Sequence, residues 1–174
     1  MSPAVAARLA AVVFVAAIFQ VSAVSSVQVL GTTSDLLLVV LVSVALLRGA
    51  LTGAIAGFAA GLIVDVATLG TLGLTALLLT LAGYWAGRYG ETTGRGRVYA
   101  PLLAVVAVTA LYGIGAYVLT FLLGEAVSAR GALLPVLPTM LLNAILALPA
   151  YGVLGRLVGG GEQLERAREV ELLV

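Results

Sequence analysis

The sequence has no cysteine and no histidine, and all nine of its basic residues are arginines. Without cysteine there are no disulfides, thiol nucleophiles or thiolate metal ligands. Without histidine the commonest acid/base side chain and metal ligand is missing too. The lack of lysine removes Schiff-base and amine-base chemistry. Only carboxylates, hydroxyls and tyrosines remain for catalysis, so the sequence is read as non-enzymatic, with no catalytic residue, cofactor or metal. Charge is scarce as well, at 10% of residues where a soluble domain carries about 25%. A net charge of +1 leaves no basic patch of the kind nucleic-acid binding needs.

What the chain has in excess is apolar surface. At 62% hydrophobic residues and a mean hydropathy of +1.19, it cannot cover a water-facing globule with polar groups, so the excess must face a bilayer. Charged residues and turn formers divide it into six apolar blocks, at residues 9–24, 36–47, 50–64, 72–87, 102–123 and 133–154. Only helices and closed barrels satisfy every backbone group in lipid, and barrel strands would alternate in polarity, which these blocks do not. The expected fold is therefore all-α: a polytopic integral membrane protein with a six-transmembrane-helix bundle over residues 1–158 and a short charged cytoplasmic tail over 159–174. Block two is short, since twelve residues cover about 18 Å of a roughly 30 Å core. Either it begins upstream, drawing Asp35 below the membrane surface, or it is a partial helix packed inside the bundle.

Arginine placement tests the topology, because basic residues favour the cytoplasmic side. With the N-terminus inside, Arg8, Arg48, Arg88, Arg95, Arg97, Arg156, Arg166 and Arg168 are all cytoplasmic, and Arg130 alone is outside. Both termini are thus expected in the cytoplasm, and five crossings would break the alternation. A competing reading makes block one a signal peptide cleaved near Val21-Ser22-Ala23, but that block is long enough to stay as an anchor.

Several residues stand out against this background. Gly49, Gly53, Gly57 and Gly61 recur at every fourth position, so they share one helix stripe where another backbone can approach closely. The stripe serves either packing within the bundle or an interface with a partner; Gly83 and Gly87 repeat the spacing in block four. Asp35 and Asp65 lie at the outer ends of blocks two and three, as helix caps at the interface or as a polar site facing outward. Asn143 is placed to hydrogen-bond a neighbouring helix, with a ligand contact as the alternative, and Pro149 is expected to kink block six. Tyr84, Trp85, Tyr89 and Tyr99 around the basic loop fit an interfacial aromatic belt contacting membrane lipids. The tail beyond Gly159-Gly160-Gly161 is expected to fray, a short helix being the alternative.

The stretch Asp35-Leu36-Leu37-Leu38, Arg48-Gly49, Gly53-Ala54-Ile55-Ala56-Gly57-Phe58-Ala59-Ala60-Gly61-Leu62, Asp65, Leu72-Gly73-Leu74 and Leu81-Ala82-Gly83-Tyr84 before Arg88 resembles the bacterial rod shape-determining protein MreD family. Ser34 departs from the proline common before the acidic residue. The resemblance implies a non-enzymatic subunit of the bacterial elongation and peptidoglycan-synthesis machinery in the cytoplasmic membrane. Its implied partners are the bitopic protein MreC and, through it, RodA, a penicillin-binding transpeptidase and MreB. It also implies a fold similar to the six-helix substrate-binding subunits of energy-coupling-factor transporters. A vitamin-binding transporter subunit is therefore the alternative function, using Asp35, Asp65, Asn143 and Tyr117. An intramembrane carboxylate enzyme built on Asp35 and Asp65 is a third class, but the residues around Asp65 match no catalytic aspartyl motif.

Overall fold

The computed structural model describes residues 3–24, 35–69, 71–93, 99–124 and 128–171, with side chains from residue 5 to 22 in the first segment and up to residue 156 in the last. The elements in chain order are α1 (Pro3–Val24), α2 (Leu36–Arg48), α3 (Ala50–Thr68), α4 (Leu74–Thr93), α5 (Ala100–Leu122), α6 (Ala129–Leu133) and α7 (Val136–Glu171). Among the described residues there is no strand, so the all-helical reading holds. Four stretches are long and apolar enough to cross a membrane: Val5–Ser22, Ala50–Thr68, Ala100–Leu122 and Ala129–Arg156.

The remaining two helices depart from a uniform bundle for different reasons. α2 starts at Leu36 and has 13 residues, about 20 Å, so it is the partial helix of the two alternatives. It is the core of the molecule, packing against α1, α3, α4, α5 and α7, with Leu38, Val39, Leu41, Val42, Val44 and Ala45 essentially inaccessible. A helix apolar all round has no polar face to offer water, and burial among other helices is one of the two environments open to it. Its Ser43 meets the same condition internally, donating Oγ to the Val39 carbonyl at 2.8 Å. α4 runs past the end of the fourth apolar block at Gly87 and reaches Thr93. Polar residues do not end a helix where it leaves hydrocarbon, and this extension carries Glu91 on the helix.

The sixth block also resolves differently from its apolar boundaries. Ser128 caps the five-residue α6, its Oγ accepting from the Gly131 amide at 3.2 Å, and α7 follows as a separate helix. Helical backbone then continues through Pro149 and the glycine triplet to Glu171, where fraying was expected.

α3 and α4 form the most extensive helix pair. The start of α1, the second half of α2 and the middle of α7 meet through Val5, Leu9, Val44 and Leu154, which gathers Arg8, Arg48 and Arg156 toward one end of the bundle. Midway along α4 Tyr84 and Trp85 stand edge to face, ring centroids 5.8 Å apart, and both rings are exposed.

Candidate functional site

Helices α1, α3, α4, α5 and α7 and the residue before α2 contribute polar side chains to the half of the bundle opposite Arg8, Arg48 and Arg156. Gln20, near the end of α1, is buried and donates Nε2 to Oδ1 of Asp35 at 2.9 Å. The Asp35 backbone amide donates to Oδ1 of Asn143 on α7 at 3.0 Å, and Asn143 donates Nδ2 to Oγ1 of Thr109 on α5 at 3.1 Å. Asn143 is wholly buried and Thr109 nearly so. The chain Gln20–Asp35–Asn143–Thr109 thus ties four helices together around the start of α2. Buried polar groups in hydrocarbon must find partners, and these find them in one another.

Asp35 therefore does not act as an N-cap, since its side chain accepts nothing from α2's own amides. Its carboxylate is aimed across the bundle to α1 instead. Asp65 does cap a helix, but not its own. It is 2% exposed, and its carboxylate accepts from the amides of Gly73 (2.8 Å), Thr75 (3.2 Å) and Ala76 (3.2 Å) at the start of α4. A carboxylate on the positive end of a helix dipole is stabilised there, and three otherwise unpartnered amides are satisfied.

A matching arrangement sits at the other end of the same pair. Oε1 of Glu91, on α4, accepts from the Ala50 amide at the start of α3 at 2.9 Å, while Arg88 lies 3.4 Å from its Oε2. Gly49, between α2 and α3, has φ +95°, and a Cβ there would fall against the Glu91 carboxylate. Backbone conformation and space both require glycine at this corner. Each helix of the α3–α4 pair thus carries the carboxylate that caps its neighbour.

Between those caps the two backbones touch. A Cβ on Gly53 would overlap the Gly83 carbonyl, one on Gly57 the Leu79 carbonyl and one on Gly61 the Ala76 backbone; from the other side, a Cβ on Gly83 would overlap Gly53 and one on Gly87 would overlap Gly49 and Ala50. The glycine stripe faces α4 of the same chain, and the two four-residue registers interlock. A partner helix would meet other surfaces.

Gln20, Asp35, Thr75 and Tyr112 line a cavity of about 210 Å³ together with apolar side chains of α2, α3 and α4. Tyr112, half-buried on α5, lies across the cavity lining from the Thr75 side chain. Asn143 lies behind Asp35 and does not line it, and Tyr117 stacks on Phe121 elsewhere along α5, with ring centroids 6.3 Å apart. Three larger apolar hollows of about 580, 590 and 470 Å³ open on the outside, between α1 and α3, between α4 and α5, and between α1 and α2. No group of three or more metal-ligating acids forms among the described residues.

The family described as rod shape-determining protein MreD matches residues 5–157, from the first turns of α1 into α7. The chain belongs to the MreD family. The match includes the polar chain, both helix caps and the glycine stripe, and it ends just before the charged tail. This member of the family is a membrane-embedded, rod shape-determining protein. Comparison with curated proteins and with solved structures returns no match.

Sequence reasoning missed Gln20, Thr75, Glu91, Thr109 and Tyr112. A lone glutamine inside an alanine- and valine-rich block was a usable signal for the first, because an amide in hydrocarbon demands a partner. Thr109 and Tyr112 stand three apart on one face of block five, which is also a visible pattern.

Proposed function

We propose that the protein is a non-enzymatic scaffold or regulatory subunit of the bacterial cell-elongation complex. In this reading it crosses the cytoplasmic membrane six times, keeps both termini inside and contacts an MreC-type bitopic partner through helix faces. RodA, the transpeptidase and MreB join through that partner. Membership of the MreD family carries the proposal. The residue chemistry supports it: the buried Asp65 carboxylate is spent on capping α4, and the large exposed side chains on α1, α3, α5 and α7 are mostly apolar.

Because α4 covers the glycine stripe, the partner surface belongs on an outward face. Ile55 on α3, Leu103 on α5 and Ile145 on α7 are each more than half exposed on different helices. Arginine is costly on a lipid-facing helix, so tryptophan is the better probe: each position is changed to tryptophan in turn, and co-purification with the MreC-type protein of the same genome is measured. One face should lose association while the others keep it and the protein stays folded. If the wild-type protein fails to co-purify, the scaffold reading is wrong.

The vitamin-binding alternative needs an enclosed, largely preformed pocket of roughly 300–1,000 Å³ with a few polar groups. The polar cavity here, about 210 Å³, is below that range, and the larger hollows are open and almost wholly apolar.

A further inference from the structure

Of the two buried-half carboxylates, only one has its hydrogen-bonding capacity filled. Asp65 takes three backbone amides, two on Oδ2 and one on Oδ1. Asp35 takes one, from the Gln20 amide on Oδ1, and among the described residues its Oδ2 accepts no hydrogen bond. Arg48 closes α2, 13 residues or about 20 Å away along the helix, Arg130 is exposed on α6, and among the described residues no ion pair reaches Asp35. The Arg88–Glu91 pair lies at the Arg48 end of the bundle. An ionised carboxylate at this depth is expensive without a countercharge. The cavity it lines is also bordered by Gln20, Thr68, Thr75 and Tyr112, and its remaining wall is aliphatic.

We propose that this cavity binds a small primary ammonium group. Three features select that class. The carboxylate is acceptor-only and calls for a cationic donor, the aromatic wall favours a cation, and the aliphatic lining suits a short alkyl stem over a bare metal ion. The volume of about 210 Å³ restricts the ligand to a few heavy atoms, such as a free short-chain amine or the terminal amine of a phospholipid headgroup. This goes beyond the scaffold role and does not depend on it.

The test is the melting temperature of the full-length protein in detergent, titrated with ethylammonium chloride against sodium chloride at equal ionic strength. A ligand that binds only the folded state must raise that temperature saturably. The expected result is a saturable rise with ethylammonium, none with sodium and none with tetramethylammonium, which has no N–H to donate. Asp35→Asn keeps an oxygen for Gln20 and should abolish the rise; Val64→Phe, which fills the cavity from α3, should do the same and serves if the first variant does not fold. A second arm compares the protein in phosphatidylethanolamine and phosphatidylglycerol nanodiscs. Saturation by free amine identifies a soluble ligand, and stabilisation confined to the phosphatidylethanolamine discs and lost in Asp35→Asn identifies the headgroup. The proposal is overturned if neither arm shows a specific rise, if tetramethylammonium matches ethylammonium, or if the folded variants respond like wild type.

Discussion

Replacing Asp65 by alanine gives the sharpest test of how this bundle is held together. The substitution removes one side chain and strands three amides, those of Gly73, Thr75 and Ala76. Ala76 is 1% exposed, so its amide bears the full cost of an unsatisfied buried donor, about 1–3 kcal/mol. Gly73 and Thr75 are more open, and water recovers part of their loss, leaving roughly 0.5–1 kcal/mol each. Removing the charge from the start of α4 adds about 0.3–1 kcal/mol. The expected destabilisation is therefore about 4 kcal/mol, or roughly a thousandfold in the folding equilibrium. Asp65→Asn keeps one oxygen for Gly73 and Ala76 but turns an NH₂ toward the Thr75 amide, and should cost about half as much. Unfolding in mixed micelles with increasing denaturing detergent measures both. A loss below about 0.5 kcal/mol for the alanine variant would show that these short N–H to carboxylate distances contribute no net stability, and the account of the hairpin would fail.

Gly57→Ala places a Cβ on the Leu79 carbonyl, a backbone atom that cannot move aside, so the same assay should show a loss of about 1–3 kcal/mol; Gly152→Ala on α7, where a Cβ meets nothing, should be neutral or gain up to about 1 kcal/mol from helix propensity. Glu91→Gln keeps an oxygen for the Ala50 amide and should cost less than Asp65→Ala, and because the two caps sit at opposite ends of the hairpin their effects should add within about 0.5 kcal/mol. Asn143→Ala and Thr109→Val should instead be coupled: a double-mutant cycle is expected to return about 0.6–1.7 kcal/mol, and a value near zero would mean the 3.1 Å bond is energetically silent.

The apolar blocks were legible because lipid imposes one solution on backbone polar groups, and that solution leaves a long unbroken run in the sequence. Asp35, Asp65 and Asn143 were legible as outliers for the same reason. Their partners were not, since the hydrogen bonds that use them span 15 residues from Gln20, 108 to Asn143 and 34 from Asn143 to Thr109. Local rules reach three or four residues along a helix and stop there. Asp35 shows the consequence: it follows Thr32, Thr33 and Ser34 and reads as a helix cap, yet its carboxylate is drawn to an amide on α1. The glycine spacing revealed that a backbone comes close without saying whose. Only the matching register of Gly83 and Gly87 pointed to α4, and that signal was weak because such pairs are common singly.

The two carboxylate caps give the glycine contact a register that glycine cannot supply. A stripe of glycines is smooth, and one helix could slide along another by a turn, about 5.4 Å, while keeping close backbone contact. Here such a slide would pull Asp65 off the amides of α4 and Glu91 off the amide of α3 in the same movement, at opposite ends of the pair. With 2.8–3.2 Å bonds at stake at both ends, a one-turn shift loses every cap at once and has no alternative amides to gain, since interior helix amides are already bonded. The hairpin is thus held to one alignment, with α2 seated against it. The proposed role of offering helix faces to a partner would need those faces at fixed heights, and reciprocal capping fixes the heights of α3 and α4 relative to one another.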